Sequence, residues 1–144
     1  MIKKYPSKVS YGLLFIVFLV FFAPFIPNLI QDEVNKELAY VLGFQLIIFA
    51  FILHLFLKTV YTLDGDVLKI KCGVISYKPI SVSEIKEISK TNSWNSSPAP
   101  SFDRIEIKYG RNQIIVLSPK NKVNFAKDLS AINDKIINNI LPEE

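Results

Sequence analysis

The chain has 144 residues, of which 50% are hydrophobic and 21% are charged, and its formal net charge is +4. Its single cysteine, Cys72, excludes an intrachain disulfide and a metal site built from several cysteines. The basic surplus is too small to indicate nucleic-acid binding, and it is typical of a protein attracted to an anionic membrane leaflet.

Two long apolar segments, Tyr11–Ile30 and residues 38–57, stand near the start of the chain. Each is about 20 residues long, the length with which an α-helix crosses a hydrocarbon core of roughly 30 Å. Neither segment contains Asp, Glu, Lys or Arg. The connector between them is short, so the second helix must return the chain to its starting side. The sequence therefore predicts a transmembrane helical hairpin as the N-terminal domain, residues 1–58.

Charged residues predict the orientation of this hairpin. Lys3, Lys4 and Lys8 precede the first span, Lys58 follows the second, and the connector at residues 31–37 is net acidic. Positive residues near the ends of membrane helices stay in the cytoplasm. We therefore expect a two-span protein of the cell membrane with both termini cytoplasmic.

Three kinds of residue inside the spans predict local features. Pro24 and Pro27 each remove a backbone donor, so the first helix should kink or end near them. Gln45 is expected to form a hydrogen bond to the facing helix. His54 has no acidic residue in either span to pair with, so we expect a neutral side chain that reaches towards the interface.

From Thr59 the apolar residues change from a helical to an alternating period, which predicts a cytoplasmic domain at residues 59–144. A tight turn is expected around Gly65, where glycine permits positive φ, and a hairpin turn is expected at residues 110–112. Antiparallel strands are expected at residues 59–63, 67–72, 74–77, 78–82, 85–90, 102–109 and 113–117.

The last part of the chain predicts an amphipathic helix. Ser118 is its expected N-cap and Pro119 its first residue, and an apolar stripe runs from Phe125 to Ile140. The predicted fold class is α+β, with the two-helix transmembrane hairpin followed by an antiparallel β-roll or barrel of about six or seven strands and one C-terminal amphipathic helix. That is the plan of pleckstrin-homology-like (PH-like) domains.

A longer motif points in the same direction. Residues 97–110 follow the pattern Ser-Pro-Ala-x-Ser-x-Asp-Arg-Ile-Glu-Ile-x-Tyr-Gly, and a Ser-Pro-Lys helix start comes soon after it. This pattern resembles the YyaB-like family of bacterial PH domains, which commonly carry N-terminal membrane helices. The resemblance implies the fold but no activity, because the family is largely uncharacterised. The motif residues are Ser97, Pro98, Ala99, Ser101, Asp103, Arg104, Glu106, Tyr109 and Gly110.

The predicted soluble domain contains no histidine, and its serines lack an accompanying base. We therefore expect no catalytic residues, no cofactor and no metal site, and we predict that the protein is not an enzyme. Asp103 should face inwards and bind serine hydroxyls or backbone N–H groups of the preceding loop. Arg104 could bind a phosphate or carboxylate, or pair with an acidic residue on a neighbouring strand.

Four lysines, Lys58, Lys69, Lys71 and Lys78, form either a solvated face or a set of contacts to anionic lipid headgroups. The leading hypothesis is a non-catalytic interaction module held at the inner leaflet, with the lipid bilayer, anionic headgroups or a membrane protein as partner. Self-protection against a bacteriocin is an alternative. A transporter subunit or membrane assembly factor is a weaker one.

Overall fold

The computed structural model describes residues 1–32, 34–93 and 99–140, and it confirms the α+β class. In that part of the chain the helices are α1 (Tyr11–Phe22), α2 (Ile26–Ile30), α3 (Lys36–Leu57) and α4 (Lys122–Ile132). The strands described are β1 (Ile2–Pro6), β2 (Thr59–Asp64), β3 (Val67–Cys72), β4 (Ile75–Ser76), β5 (Ile80–Ser81), β6 (Ile85–Thr91), β7 (Arg104–Tyr109), β8 (Gln113–Leu117) and β9 (Ile137–Asn138).

The two N-terminal apolar segments form helices long and apolar enough to cross a membrane. The first is interrupted by a 3₁₀ turn at Ala23–Phe25, between α1 and α2. Pro24 lies in that turn and Pro27 in the first turn of α2, so the first helix is interrupted near both prolines, where it was expected to kink or end. The side-chain amide of Gln45 donates to the carbonyl of Phe21 at 3.1 Å, so the predicted hydrogen bond to the facing helix is confirmed.

The first sheet of the domain contains a strand that the sequence did not predict. β1 pairs antiparallel with β2, which pairs with β3, and both β4 and β5 pair with β3. In this register Tyr5 lies opposite Tyr61, and Tyr61 lies opposite Ile70. The N-terminal segment, residues 1–58, therefore contributes more than the hairpin, because Ile2–Pro6 belongs to the sheet of the following domain.

Side chains also hold β1 in place. The Lys3 ammonium lies 2.8 Å from the carboxylate of Asp128 on α4, and the Tyr5 hydroxyl donates to the same carboxylate. Burial and then this hydrogen bond raise the pKa of Tyr5 to about 12. The Tyr5 ring also packs edge-on against Phe125, with ring centroids 5.1 Å apart. The N-terminal strand is therefore fixed to the helix that closes the domain.

The second sheet has the order β8-β7-β6-β9. β6, β7 and β8 are antiparallel, as predicted, and a bulge lies in β6 between Ile85 and Glu87. β9 pairs with β6 in parallel, with Ile137 opposite Glu87. The predicted continuous C-terminal helix is therefore wrong in its second half, because the helix ends at Ile132 and Ile137–Asn138 form a short strand.

Two polar residues explain the bounds of α4. Ser118 does not cap a helix, because its N–H donates to the Tyr61 hydroxyl at 3.1 Å while its own hydroxyl lies 2.9 Å from that of Ser7. The N-cap is Asn121 instead. At the other end, the Asn133 side chain donates to the carbonyls of Val82 and Ile85, which ends the helix early.

One hydrophobic core joins the two sheets and α4. Ile136 and Ile140, which were predicted on the helix, are buried in it from the segment around β9. The core residues are Tyr61, Leu63, Leu68, Ile70, Ile80, Val82, Ile85, Ile88, Ile105, Ile107, Leu117, Phe125, Ala126, Leu129, Ile136 and Ile140.

Candidate functional site

A group of lysines without ion pairs among the described residues lies where α3 meets the outer face of the first sheet. Side chains alternate along a strand, so Tyr5, Tyr61 and Ile70 face the core while their neighbours face outwards. Lys4 and Lys71 are therefore on the outer face. Lys58 follows the last residue of α3 and lies beside them.

These residues surround a cleft of about 500 Å³, which we call the basic cleft. Its lining consists of Lys4, His54, Lys58, Val60, Thr62, Lys71, Gly73 and Val74. No acidic side chain belongs to this lining, and within the described residues Lys4, Lys58 and Lys71 form no ion pair. The cleft therefore combines three unpaired ammonium groups with a hydroxyl and an imidazole, a donor set that suits a phosphate.

The back of the basic cleft is closed by close packing between Gly73 and α3. Gly73 has φ +58°, and its N–H donates to the carbonyl of Lys58 at 3.1 Å. A Cβ at this position would lie only 2.8 Å from a methyl carbon of Leu55 and 3.2 Å from its Cα. The carbonyl of Leu55 also accepts from the Thr59 hydroxyl at 2.7 Å. The last turn of α3 is thus capped by groups of the sheet.

The predicted set of four lysines is divided by the structure. Lys58 and Lys71 line the basic cleft, whereas Lys69 is 2.6 Å from Asp64 and neither Lys69 nor Lys78 lines the cleft. Lys4 was not predicted to belong to this site, because the strand that carries it was not predicted. His54 was not grouped with the lysines either, although the spacing of four residues between His54 and Lys58 places both on one face of a helix.

The motif segment lies at the other connection between hairpin and domain. Ala99 and Ser101 are buried, and the carbonyl of Pro100 accepts from the N–H of Ser10, the N-cap of α1, at 3.1 Å. Ser97 and Pro98 lie outside the described residues. Two backbone bonds, from Ser7 to Thr59 and from Lys8 to Ser118, continue this attachment towards β1.

The sequence of the domain agrees with a known family. The profile of the bacterial PH domain family matches residues 59–133, more than half of the chain. The chain belongs to the bacterial PH domain family. No curated protein and no solved structure gives a significant match. The matched residues of the PH domain run from β2 to just beyond α4, so β1 and β9 both lie outside them.

Two charged residues of the PH domain have other partners than predicted. Asp103 precedes β7, and its carboxylate binds Lys122 at 2.6 Å and Lys8 at 3.0 Å, so the predicted hydroxyl and N–H partners of this carboxylate are wrong. Hydrogen bonds from Lys122 and then from Lys8 hold the pKa of Asp103 below its ordinary value. Arg104 donates to the carbonyls of Ser101 at 2.6 Å and Ser93 at 2.9 Å, so its side chain links these two residues.

The remaining motif residues of the PH domain support the second sheet. Glu106 lies 4.0 Å from Lys108, which binds Glu87 more closely at 2.9 Å. Tyr109 packs against the core, and Gly110 lies in the predicted turn before β8, where it takes φ +58°. Among the described residues, no three His, Cys, Asp or Glu side chains are grouped so that they could hold a metal ion. Cys72 is half-buried, with its sulfur 3.2 Å from the Thr59 hydroxyl.

We expect Asp103→Asn to lower the free energy of unfolding of the PH domain by about 0.5–1 kcal/mol at neutral pH, a small value because solvent screens these ion pairs. The folded-state pKa is lowered, so the carboxylate stabilises the fold above its ordinary pKa of 3.8 and this contribution is lost as the pH falls through the folded-state pKa. Urea unfolding at neutral pH and in steps into the acid range measures the difference. The difference in the free energy of unfolding between the variant and the unmodified protein should vanish in acid.

Asp134→Asn is the matched control, because Asp134 is exposed and forms no ion pair within the described residues. It should change the free energy of unfolding little at any pH. Equal losses in both variants would contradict the role given to Asp103.

Proposed function

We propose that the chain is a membrane-anchored, non-catalytic interaction module whose PH domain binds the phosphate of anionic phospholipids in the basic cleft. One observation carries the proposal, namely three unpaired lysines around a cleft at the end of an apolar helix of 22 residues. That helix is about 33 Å long, close to the thickness of a hydrocarbon core. Lys58 directly follows it, so the cleft lies at headgroup depth when the helix spans the bilayer.

The same arrangement supports the proposed orientation. Lys4, Lys58 and Lys71 lie on the side of the hairpin that also holds both of its connections to the domain. Because positive residues stay on the cytoplasmic side, the domain and the termini are proposed to face the cytoplasm.

Membership of the YyaB-like subgroup is part of the proposal and rests on the motif at residues 97–110. Bacteriocin immunity and a transporter or assembly role stay alternative predictions.

The test is lipid selectivity of the full chain in phosphatidylcholine vesicles. Spin-labelled phosphatidylglycerol and spin-labelled phosphatidylcholine each show a motionally restricted fraction at a membrane protein, and the ratio of the two gives the preference. We expect the unmodified protein to prefer phosphatidylglycerol. In the Lys4→Gln/Lys71→Gln variant this preference should fall about fivefold for each lysine removed, since a lysine near the surface contributes about 1 kcal/mol. Added salt should also reduce the preference for phosphatidylglycerol.

Lys86→Gln/Lys90→Gln is the control, because these two lysines are exposed on β6, in the other sheet, and removing them changes the net charge equally. That variant should keep the preference of the unmodified protein. An equal fall in both variants would show that net charge, and not the basic cleft, determines the preference. The absence of any preference in the unmodified protein would overturn the proposed function.

A further inference from the structure

The hairpin between β3 and β4 exposes apolar side chains beside the membrane helix. Gly73 and Val74 form its two-residue turn, since Cys72 pairs with Ile75. The exposed fractions of Val74, Ile75 and Tyr77 are 65%, 46% and 39%. We call these three residues the β3–β4 tip. In the domain interior such side chains would be buried, and a cluster of them at the surface marks an interaction site.

The depth of the β3–β4 tip is fixed by its contacts with α3. Gly73 packs directly on Leu55, which lies two residues, or about 3 Å, inside the end of that helix. The Cys72 thiol contacts the carbonyl of the same leucine at 3.7 Å. The tip is therefore level with the last turn of α3, at the boundary between hydrocarbon and headgroups when α3 crosses the membrane.

We infer that the β3–β4 tip enters the same leaflet that the hairpin crosses, where Val74 and Ile75 reach the acyl chains and Tyr77 stays among the headgroups. This inference rests on the membrane anchoring in the proposed function. The surface is continuous with an apolar membrane helix, and lysines border it on both sides, Lys71 before the turn and Lys78 after it. Apolar side chains flanked by cations are suited to an anionic interface, and a tyrosine ring favours the headgroup layer.

The experiment places a fluorophore at three positions of the full chain in phosphatidylcholine nanodiscs. Each variant carries Cys72→Ser and one new cysteine, Val74→Cys at the tip, Asp66→Cys as the water control, or Phe51→Cys as the membrane control. Asp66 is exposed at the opposite end of β3, about 20 Å from the tip, and Phe51 is exposed on α3. The label is a nitrobenzoxadiazole group, and the quencher is a lipid with a nitroxide near the top of its acyl chain.

Insertion predicts blue-shifted emission at position 74 and a loss of about half its intensity with the quencher, because interfacial segments lie roughly 5–10 Å deep. The label at position 66 should emit as in water and keep its intensity. Phosphatidylcholine carries no net charge, so attraction of the lysines to an anionic membrane surface does not contribute to the outcome. A thermal unfolding midpoint for each labelled variant shows that the domain is folded.

Two outcomes overturn the inference and are distinguishable from failure of the proposed function. Quenching at position 51 without quenching at position 74 leaves the anchor in place and shows that the tip is outside the leaflet. A blue shift at position 74 without quenching shows that protein, such as a second copy of the chain, covers the tip. If neither position 51 nor position 74 is quenched, the hairpin is not in the bilayer and the proposed function fails with the inference.

Discussion

Gly73→Ala is expected to lower the free energy of unfolding by about 2–4 kcal/mol, because it combines backbone strain with a collision against α3. The residue has φ +58°, and its new Cβ would lie 2.8 Å from a Leu55 methyl carbon. The methyl can rotate away, but the Leu55 Cα at 3.2 Å belongs to the helix backbone and cannot yield cheaply. Urea unfolding of the detergent-solubilised chain, followed by the β-sheet circular dichroism signal, measures the loss.

Gly65→Ala separates the two effects. Gly65 has φ +61°, almost the same backbone conformation, but a Cβ added there would have no atom within 4 Å beyond its chain neighbours. That variant should therefore show the strain alone, about 1–2 kcal/mol. A loss at Gly73 no larger than the loss at Gly65 would mean that α3 does not pack on the β3–β4 turn as the structure shows.

Tyr61→Phe is expected to lower the free energy of unfolding by about 1–3 kcal/mol, since it leaves buried polar groups without their partner. The Tyr61 hydroxyl accepts from the N–H of Ser118 at 3.1 Å and donates to the Ser7 hydroxyl at 3.2 Å. All three residues are buried, so water cannot easily replace the lost oxygen. The same unfolding measurement applies, and amide hydrogen exchange at Ser118 should accelerate more than the global stability loss alone predicts.

Tyr109→Phe is the matched control for this loss. Tyr109 is half-buried against the same core, and its hydroxyl makes no hydrogen bond within the described residues. Its removal should change the free energy of unfolding little. Comparable losses at both tyrosines would show that ring packing, and not the hydroxyl of Tyr61, decides the effect.

Features that depend on neighbouring residues were predicted well from the sequence. The two apolar helices, the interruption at the prolines, the strand alternation and the positive φ of Gly65 all follow from local patterns. The Gln45 bond to the facing helix was also predictable, because a hairpin leaves a polar side chain few partners.

Features that depend on distant partners could not be predicted in the same way. β1 is five residues with two adjacent lysines, and only its pairing with β2 across the whole hairpin makes it a strand. β9 has two residues, and Asn133 diverts the chain into it by bonding to Val82 and Ile85. The cleft residue Lys4 was missed for the same reason, since its position is set by β1. The partners of Asp103 lie 95 and 19 residues away along the chain.

The pairing of β1 with β2 has a consequence for biosynthesis. The two strands lie on either side of the hairpin, so the sheet cannot close until both helices have been made and β2 has emerged. If the hairpin crosses the membrane as proposed, β1 must also remain on the side where β2 emerges, so the chain between the two strands crosses the membrane an even number of times. Closure is therefore a late, long-range step of folding. A nascent chain whose N-terminus crossed the membrane would be left with an unpaired edge on β2.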